Sequence, residues 1–385
     1  MTHALKDHAN LYKLPGPWTT IYVDGSTGTV DSFASDDILP RSVADAMEQA
    51  GAPKEDIKAA TAALSKTAKG LPDPVSRFIL VHGGEAAIDD FLPGGLVTGE
   101  PVIAVGPIPD LSPLLRHCPE GFPYVVAEVG RDGGEVYLRH ADRTWGGPNR
   151  GEPVAHIEGD TEHMRKVHAG GWAHGRYHHH AEKVWKSNAA EVAAEIDTVV
   201  SATRAKLVVV SGDIRARQLV ADQVSEETRS LLSVVDSHTR TGGSDNETFA
   251  LQVDQLVTRV MADRQHQLLE RLAEQEGQAT RTSAAGIGAV VAALQQAQVE
   301  TLLLESTAWD NRTLLALDAA PWVTTSPEET AGASVLGSVP ALAAILRAAA
   351  LTDADTVLYP PGALDSKPIA ALLRWPTGPA VPAAT

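Results

Sequence analysis

The feature that most constrains this chain is a double switch of hydrophobic period between residues 124 and 211. Residues 124–140 read YVVAEVGRDGGEVYLRH, two alternating runs around Arg131-Asp132-Gly133-Gly134. Alternation broken by an Asp-Gly step is a strong hairpin signal, because such residues adopt the left-handed conformations a tight turn needs. Residues 152–158 add another short strand pattern. Then Trp185, Ala189, Val192, Ile196 and Val199 recur at steps of four, three, four and three. That spacing puts all five on one face of a long amphipathic helix. Residues 206–211, KLVVVS, return to a continuous apolar run, as a strand buried on both faces does, and Gly212-Asp213 opens another helix. The order predicts one sheet that begins antiparallel and continues parallel, with helices on its faces.

Ribonuclease-H-like folds have this order, and here it occupies a middle stretch, residues 122–278. The stretch closes on a helix over 248–276, striped by Phe249, Val253, Leu256, Val260 and Met261 and ended at Gly277. Residues 1–121 form a mixed α/β N-terminal domain. A strand at 17–24 is followed by helices at 41–50 and 54–69, each placed after a proline (Pro40, Pro53) and before a glycine (Gly51, Gly70). Strands at 77–82 and 102–106 and a short helix at 110–117 complete it. Residues 279–385 read helix (284–296), strand (300–304), strand (313–317), helix (339–350), strand (356–359), an α/β/α sandwich with a proline- and alanine-rich tail. Three domains are the expectation for 385 residues, too many for one ordinary core.

Composition narrows the class. With 43% hydrophobic and 21% charged residues the chain is globular. Its single cysteine, Cys118, excludes an internal disulfide framework and suits a reducing cytoplasm. No apolar run reaches membrane-spanning length, and the N-terminus lacks the apolar core of a signal peptide. Cytoplasmic localisation without membrane partners is expected. A formal net charge of −17 argues against indiscriminate binding to nucleic acid, DNA included, since phosphate neutralisation supplies most of that affinity.

One window opposes that acidity. Residues 163–186, HMRKVHAGGWAHGRYHHHAEKVWK, hold five Lys or Arg, six His and one acid. Within it, residues 166–176 form a glycine-centred loop in which Gly170 and Gly171 free the backbone to approach a ligand closely. Trp172 at their apex offers a flat face for stacking on a base, worth roughly 1–3 kcal/mol. The alternative is a tryptophan folded back onto its own core, as isolated tryptophans commonly are. Arg165, Lys166, Arg176, Lys183 and Lys186 are the candidate phosphate contacts. His168, His174 and His178 stand beside them, gaining charge as pH falls. A metal site is the lesser reading, because three consecutive histidines share no helix face and no zinc-ligand spacing is present. No cofactor is called for. Gly286-Ile287-Gly288 resembles a shortened dinucleotide fingerprint, but reads as lying inside a helix and not after a strand. Asp213 is a catalytic acid or, more simply, a helix N-cap.

The three units and the loop resemble the archaeo-eukaryotic class-1 release factor and Pelota superfamily, in its bacterial branch. In release factors a basic segment leads to a Gly-Gly-Gln tip followed by a long helix. The matching residues here are Lys166, His168, Gly170, Gly171, then Trp172 where glutamine belongs, and Arg176 beyond. GIGAVVAALQQAQVETLLLE in the third unit resembles the opening of that superfamily's L7Ae-like domain. The resemblance implies a decoding-site-facing N-terminal domain and a middle-domain loop that reaches the peptidyl transferase centre. It implies as partners the 70S ribosome, through 23S and 16S rRNA, and elongation factor Tu as a delivering GTPase. Trp172 in place of glutamine, and the absence of an Asn-Ile-Lys-Ser motif, imply loss of peptidyl-tRNA hydrolysis and of codon reading. Three functions follow as alternatives. The first is a non-enzymatic factor that fills the vacant A site of idle ribosomes. The second is a rescue factor that hydrolyses peptidyl-tRNA through backbone N–H groups near Gly171. The third is a metal-dependent nuclease built on Glu128, Glu158 and Asp213.

Overall fold

The computed structural model describes residues 8–26, 32–66, 74–117, 122–141, 153–159, 173–236, 246–278, 281–307, 309, 312–365 and 367–376. By contacts the chain divides into two compact units, one of residues 1–120 with 267–385 and one of residues 121–266.

The first stretch contains β1 (Trp18–Asp24), α1 (Ser32–Gln49), α2 (Lys54–Leu64), β2 (Val75–His82), β3 (Glu85–Pro93), β4 (Val102–Gly106) and α3 (Ser112–His117). The strands form one antiparallel sheet in the order β3-β2-β1-β4. Alternation sorts its faces. Ile21, Val23, Ile79 and Val81 pack with Val43, Met47, Ala60 and Leu64 of the two helices. Trp18, Tyr22, Phe78 and Leu80 point the other way, into a different cluster. Two expectations are corrected here. Helix α1 does not begin after Pro40; it starts at Ser32 and carries Pro40 inside it. Strand β3 was not anticipated, because Asp89 and Asp90 interrupt its apolar run. Asp89 is there for the buried Arg77, whose Nη2 lies 2.6 Å from its carboxylate.

The middle unit holds β5 (Pro123–Gly130), β6 (Gly133–His140), β7 (Ala155–Glu158), α4 (Ala173–Thr203), β8 (Val208–Gly212), α5 (Ile214–Gln223), α6 (Glu226–Ser230), β9 (Leu232–Val234) and the first part of α7 (Asn246–Glu276). The sheet order is β7-β6-β5-β8-β9. Strands β7, β6 and β5 are antiparallel; β8 and β9 then run parallel to β5, as the period switch predicts. Gly130 pairs with Gly133, so Arg131-Asp132 is a two-residue turn. One face, through Val125, Ala127, Val208 and Val210, receives α4 and α5. The other, through Tyr124, Val126 and Val209, receives Phe249, Val253 and Val257 of α7. Helix α6 and strand β9, five and three residues long, are too short to leave a periodic signal.

The last stretch contains β10 (Ser283–Ala285), α8 (Ile287–Gln295), β11 (Val299–Glu305), β12 (Thr313–Leu317), β13 (Val323–Thr324), β14 (Val335–Pro340), α9 (Ala341–Leu351), β15 (Asp355–Tyr359) and β16 (Ile369–Leu373). Its main sheet has the order β10-β16-β11-β15. Leu302, Leu304, Ile369 and Ala371 face α8 and α9. Leu303, Val357, Ala370 and Leu372 face Leu268, Leu269 and Leu272 of α7, which supplies the other helical layer. The sandwich is therefore present, but β12 leaves it for a separate sheet with β13 and β14. The first and last stretches keep their own sheets and share one core, in which Trp18, Tyr22 and Phe78 cluster with Ile345 and Leu346. Arg347, 3% exposed, lies at their junction, its Nε donating to the Tyr12 carbonyl at 3.1 Å and its Nη1 to that of Leu317 at 2.7 Å. Among the described residues no helix is long and apolar enough to cross a membrane.

Candidate nucleic-acid interface

Of the basic window, Arg165, Lys166, His168, Gly170, Gly171 and Trp172 lie outside the described residues, between Gly159 and Ala173. His174, Arg176 and His178 belong to the first turns of α4, and Lys183 and Lys186 are exposed further along it. The loop expected to reach residue 176 therefore gives way to helix at Ala173. Gly175 does not prevent this, because the first N–H groups of a helix have no intrahelical partner and the cost of glycine is smallest there.

Helical geometry then sorts the charges. At about 100° per residue, positions 176, 183 and 186 fall within about 80° of one another. Trp185, Ala189 and Val192, which carry the packing against β5, β6 and α5, fall on roughly the opposite side. One helix thus has a packing side toward its own sheet and a line of basic positions away from it, the arrangement that tracking a phosphate backbone requires.

Three contacts fix the helix where these sides separate. Arg131, at the β5–β6 turn, places its guanidinium 4.5 Å from the centre of the Trp185 ring. Its Nε pairs with Asp213 Oδ2 at 3.1 Å. Its carbonyl accepts from Asn188 Nδ2 at 3.0 Å. Gly159, the last described residue before the basic window, donates its N–H to the Asp132 carbonyl at 2.8 Å. A Cβ there would overlap the carboxamide of Asn188, which would have to shift from its bond to the Arg131 carbonyl. Beyond these, Arg215 Nη2 meets Glu182 Oε1 at 2.7 Å, and Gln223 Nε2 donates to the Lys186 carbonyl at 3.2 Å. Arg131, Asn188 and Arg215 were not singled out in the sequence. A turn arginine and a helix asparagine 57 positions apart share no local signal.

Asp213 is an N-cap: its Oδ1 accepts from the N–H groups of Arg215 (2.9 Å) and Ala216 (3.1 Å). Burial raises its pKa, but the Ala216 N–H, the Arg131 guanidinium and the Arg215 N–H outweigh burial and hold the carboxyl below its ordinary value. The other two carboxylates of the nuclease reading do not join it. Glu128 is buried on the face that receives α7, in phase with Tyr124 and Val126, whereas Glu158 is 88% exposed on the edge strand. Among the described residues no group of three or more His, Cys, Asp or Glu could hold a metal ion. Gly286 is also corrected, since it does follow a strand, β10, and opens α8 with φ +85°. That strand pairs antiparallel with β16, so the turn is not part of a parallel strand–helix–strand dinucleotide unit.

With this geometry in place, comparison with known proteins is informative for the middle of the chain. Residues 123–278 match the Bacterial archaeo-eukaryotic release factor family 2. The match spans the mixed sheet, the basic window, α4 and α7, and supports the superfamily that the glycine loop resembles. Over 296 residues, 75% of each chain, the sequence is 24% identical to the Mycobacterium tuberculosis protein Rv2629. Among solved structures, the archaeal translation termination factor aRF1 is similar over 96% of both chains, at 16% identity and a TM-score of 0.26. Dom34 of S. cerevisiae is similar at 11% identity over 79% of this chain and 82% of its own, with a TM-score of 0.39. Archaeal Pelota, from a model of ribosome-bound Pelota and ABCE1, is similar at 14% identity over 98% and 96%, with a TM-score of 0.37.

Proposed function

We propose that this protein is a non-enzymatic ribosome-binding factor that occupies the vacant A site of idle 70S ribosomes and blocks translation there. The observation that carries the proposal is the match of residues 123–278 to a bacterial release factor family, over the stretch that holds the basic window and α4. This reading likens the chain to the ribosome hibernation factor Balon. Phosphate contacts from Arg165, Lys166, Arg176, Lys183 and Lys186 would orient the middle unit on rRNA. Gly170, Gly171 and Trp172 would enter the peptidyl transferase centre, with His168, His174 and His178 along the path. The mechanism is occlusion. Many individually weak contacts hold the helix, and a bulky apex stands where an accommodating tRNA needs space. Because Trp172 replaces the release-factor glutamine, no hydrolysis of peptidyl-tRNA accompanies binding. The first stretch faces the decoding site on 16S rRNA, elongation factor Tu is the delivering GTPase, and the setting is the cytoplasm.

Replacing residues 166–176 by an Ala-Ser linker is expected to abolish co-sedimentation with vacant 70S ribosomes. Undiminished co-sedimentation overturns the proposal. A peptide-release assay on loaded ribosomes separates it from the rescue reading, with no release above background expected.

A further inference from the structure

We infer that Arg131 is a positioning residue for the basic face of α4, acting with Trp185 and Asn188 as a clamp at the root of that helix. The inference rests on the ribosome-binding proposal and adds to it the element that aims the contact residues.

The argument is one of leverage. From Asn188 to Ala173 the helix runs fifteen residues, about 22 Å at its rise per residue. The side chains of this portion are described from Glu182 onward, and four contacts there reach neighbouring elements. They are Arg131 over Trp185, Asn188 to the Arg131 carbonyl, Arg215 with Glu182, and Gln223 to the Lys186 carbonyl. An angular slack of about 10° at the base moves Ala173 by about 4 Å, whereas a binding constellation tolerates roughly 0.5 Å. Small looseness at Arg131 therefore becomes a larger displacement toward the start of α4.

Arg131 is suited to the task by chemistry as well as place. A planar guanidinium can lie over an indole ring while its edge donates to a carboxylate, which an ammonium cannot do as well. The carboxylate it meets is Asp213, itself fixed as the cap of α5, so the arginine ties the turn, α4 and α5 together. The same turn accepts the N–H of Gly159, so the point where the chain leaves β7 and the helix to which it returns share one anchor. The ion pair is exposed, with side chains 46% and 32% accessible, and such pairs add little to global stability. Loosened direction without unfolding is the expected consequence of removing it.

The test compares four full-length proteins for binding to vacant 70S ribosomes: wild type, the Ala-Ser replacement of residues 166–176, Arg131→Ala and Arg131→Lys. Thermal unfolding and amide hydrogen exchange across 173–188 are measured on each. Arg131→Ala is expected to bind about tenfold more weakly, with an unchanged melting temperature and faster exchange in the first turns of α4. Arg131→Lys, which keeps charge but not the planar fork, is expected to fall between. Asn188→Ala provides an independent variant with the same signature. Loss of binding on loop replacement, with Arg131→Ala and Asn188→Ala both binding as wild type, overturns the clamp and leaves the ribosome proposal standing. Unchanged binding by the loop replacement overturns the ribosome proposal itself. A fall in melting temperature that accounts for the binding loss in both single variants makes the residues merely structural, and also overturns the inference.

Discussion

Helices α4 and α7 are each 31 residues long, yet their residue patterns differ. Along α7 buried residues recur from Phe249 and Val253 through Val257 to Leu272, so apolar packing supports it from near its start to near its end. Along α4, whose side chains are described from Glu182 onward, Trp185 is partly buried and buried residues run from Asn188 and Ala189 through Val192, Ala193, Ile196 and Val200. Its first twelve residues, AHGRYHHHAEKV, hold four His, one Arg and one Lys and carry no apolar repeat. Helices of this length usually owe their stability to a buried face. In the proposed function, a helix with such a beginning presents its basic positions to RNA. Length alone does not distinguish the two; the residue pattern along the length does.

The contrast can be broken or sharpened by substitution. The largest effect is expected on α7, where Val253→Asp buries a carboxylate among Tyr124, Val126 and Phe249 and should cost several kcal/mol in urea-induced unfolding. Next comes the packed half of α4. Ile196→Ala leaves a cavity against the sheet and should cost about 2–4 kcal/mol. The basic half should behave in the opposite sense. Lys183→Glu with Lys186→Glu is expected to change stability by less than about 0.5 kcal/mol. The same pair should weaken ribosome binding about tenfold or more and lower the slope of log affinity against log salt by about two. A large loss of stability in that pair would mean that the two helices are built alike.

The smallest effect concerns Asp213. Its folded-state pKa is depressed, so the stability it contributes is present at neutral pH and is lost as pH falls through that depressed value. Asp213→Asn keeps a capping oxygen but loses the charge beside Arg131. At pH 7 it should cost roughly 0.5 kcal/mol, small because the pair is largely solvated. The gap from wild type should close below about pH 4, as followed by urea unfolding across pH.

Much of this molecule could be read in its residues before any coordinates. The hairpin at Arg131-Asp132, the stripe from Ala189 to Val199, the buried strand at Val208–Gly212 and the antiparallel-then-parallel sheet are all local periodicities, and local periodicity is written in the sequence. What could not be read depends on distant partners. β3 carries two aspartates, and one of them is explained only by its pairing with Arg77 on the neighbouring strand and Lys66 after α2. β16 pairs with both β10 and β11, but its IAALL is as good a helix as a strand. Pro40 reads as a helix start and stands inside a helix, because the residues before it are helical too. For the interface, the basic residues announced themselves by composition. The clamp did not, since Arg131, Asn188 and Gly159 meet only once the sheet has formed.

The most direct test is a cryo-EM map of vacant 70S ribosomes saturated with the full-length protein. The account predicts protein in the A site, with residues 163–186 against 23S rRNA and the side of α4 that carries Arg176, Lys183 and Lys186 turned to phosphate. A bound protein whose α4 faces solvent, with Trp172 packed within its own domain away from RNA, would contradict it.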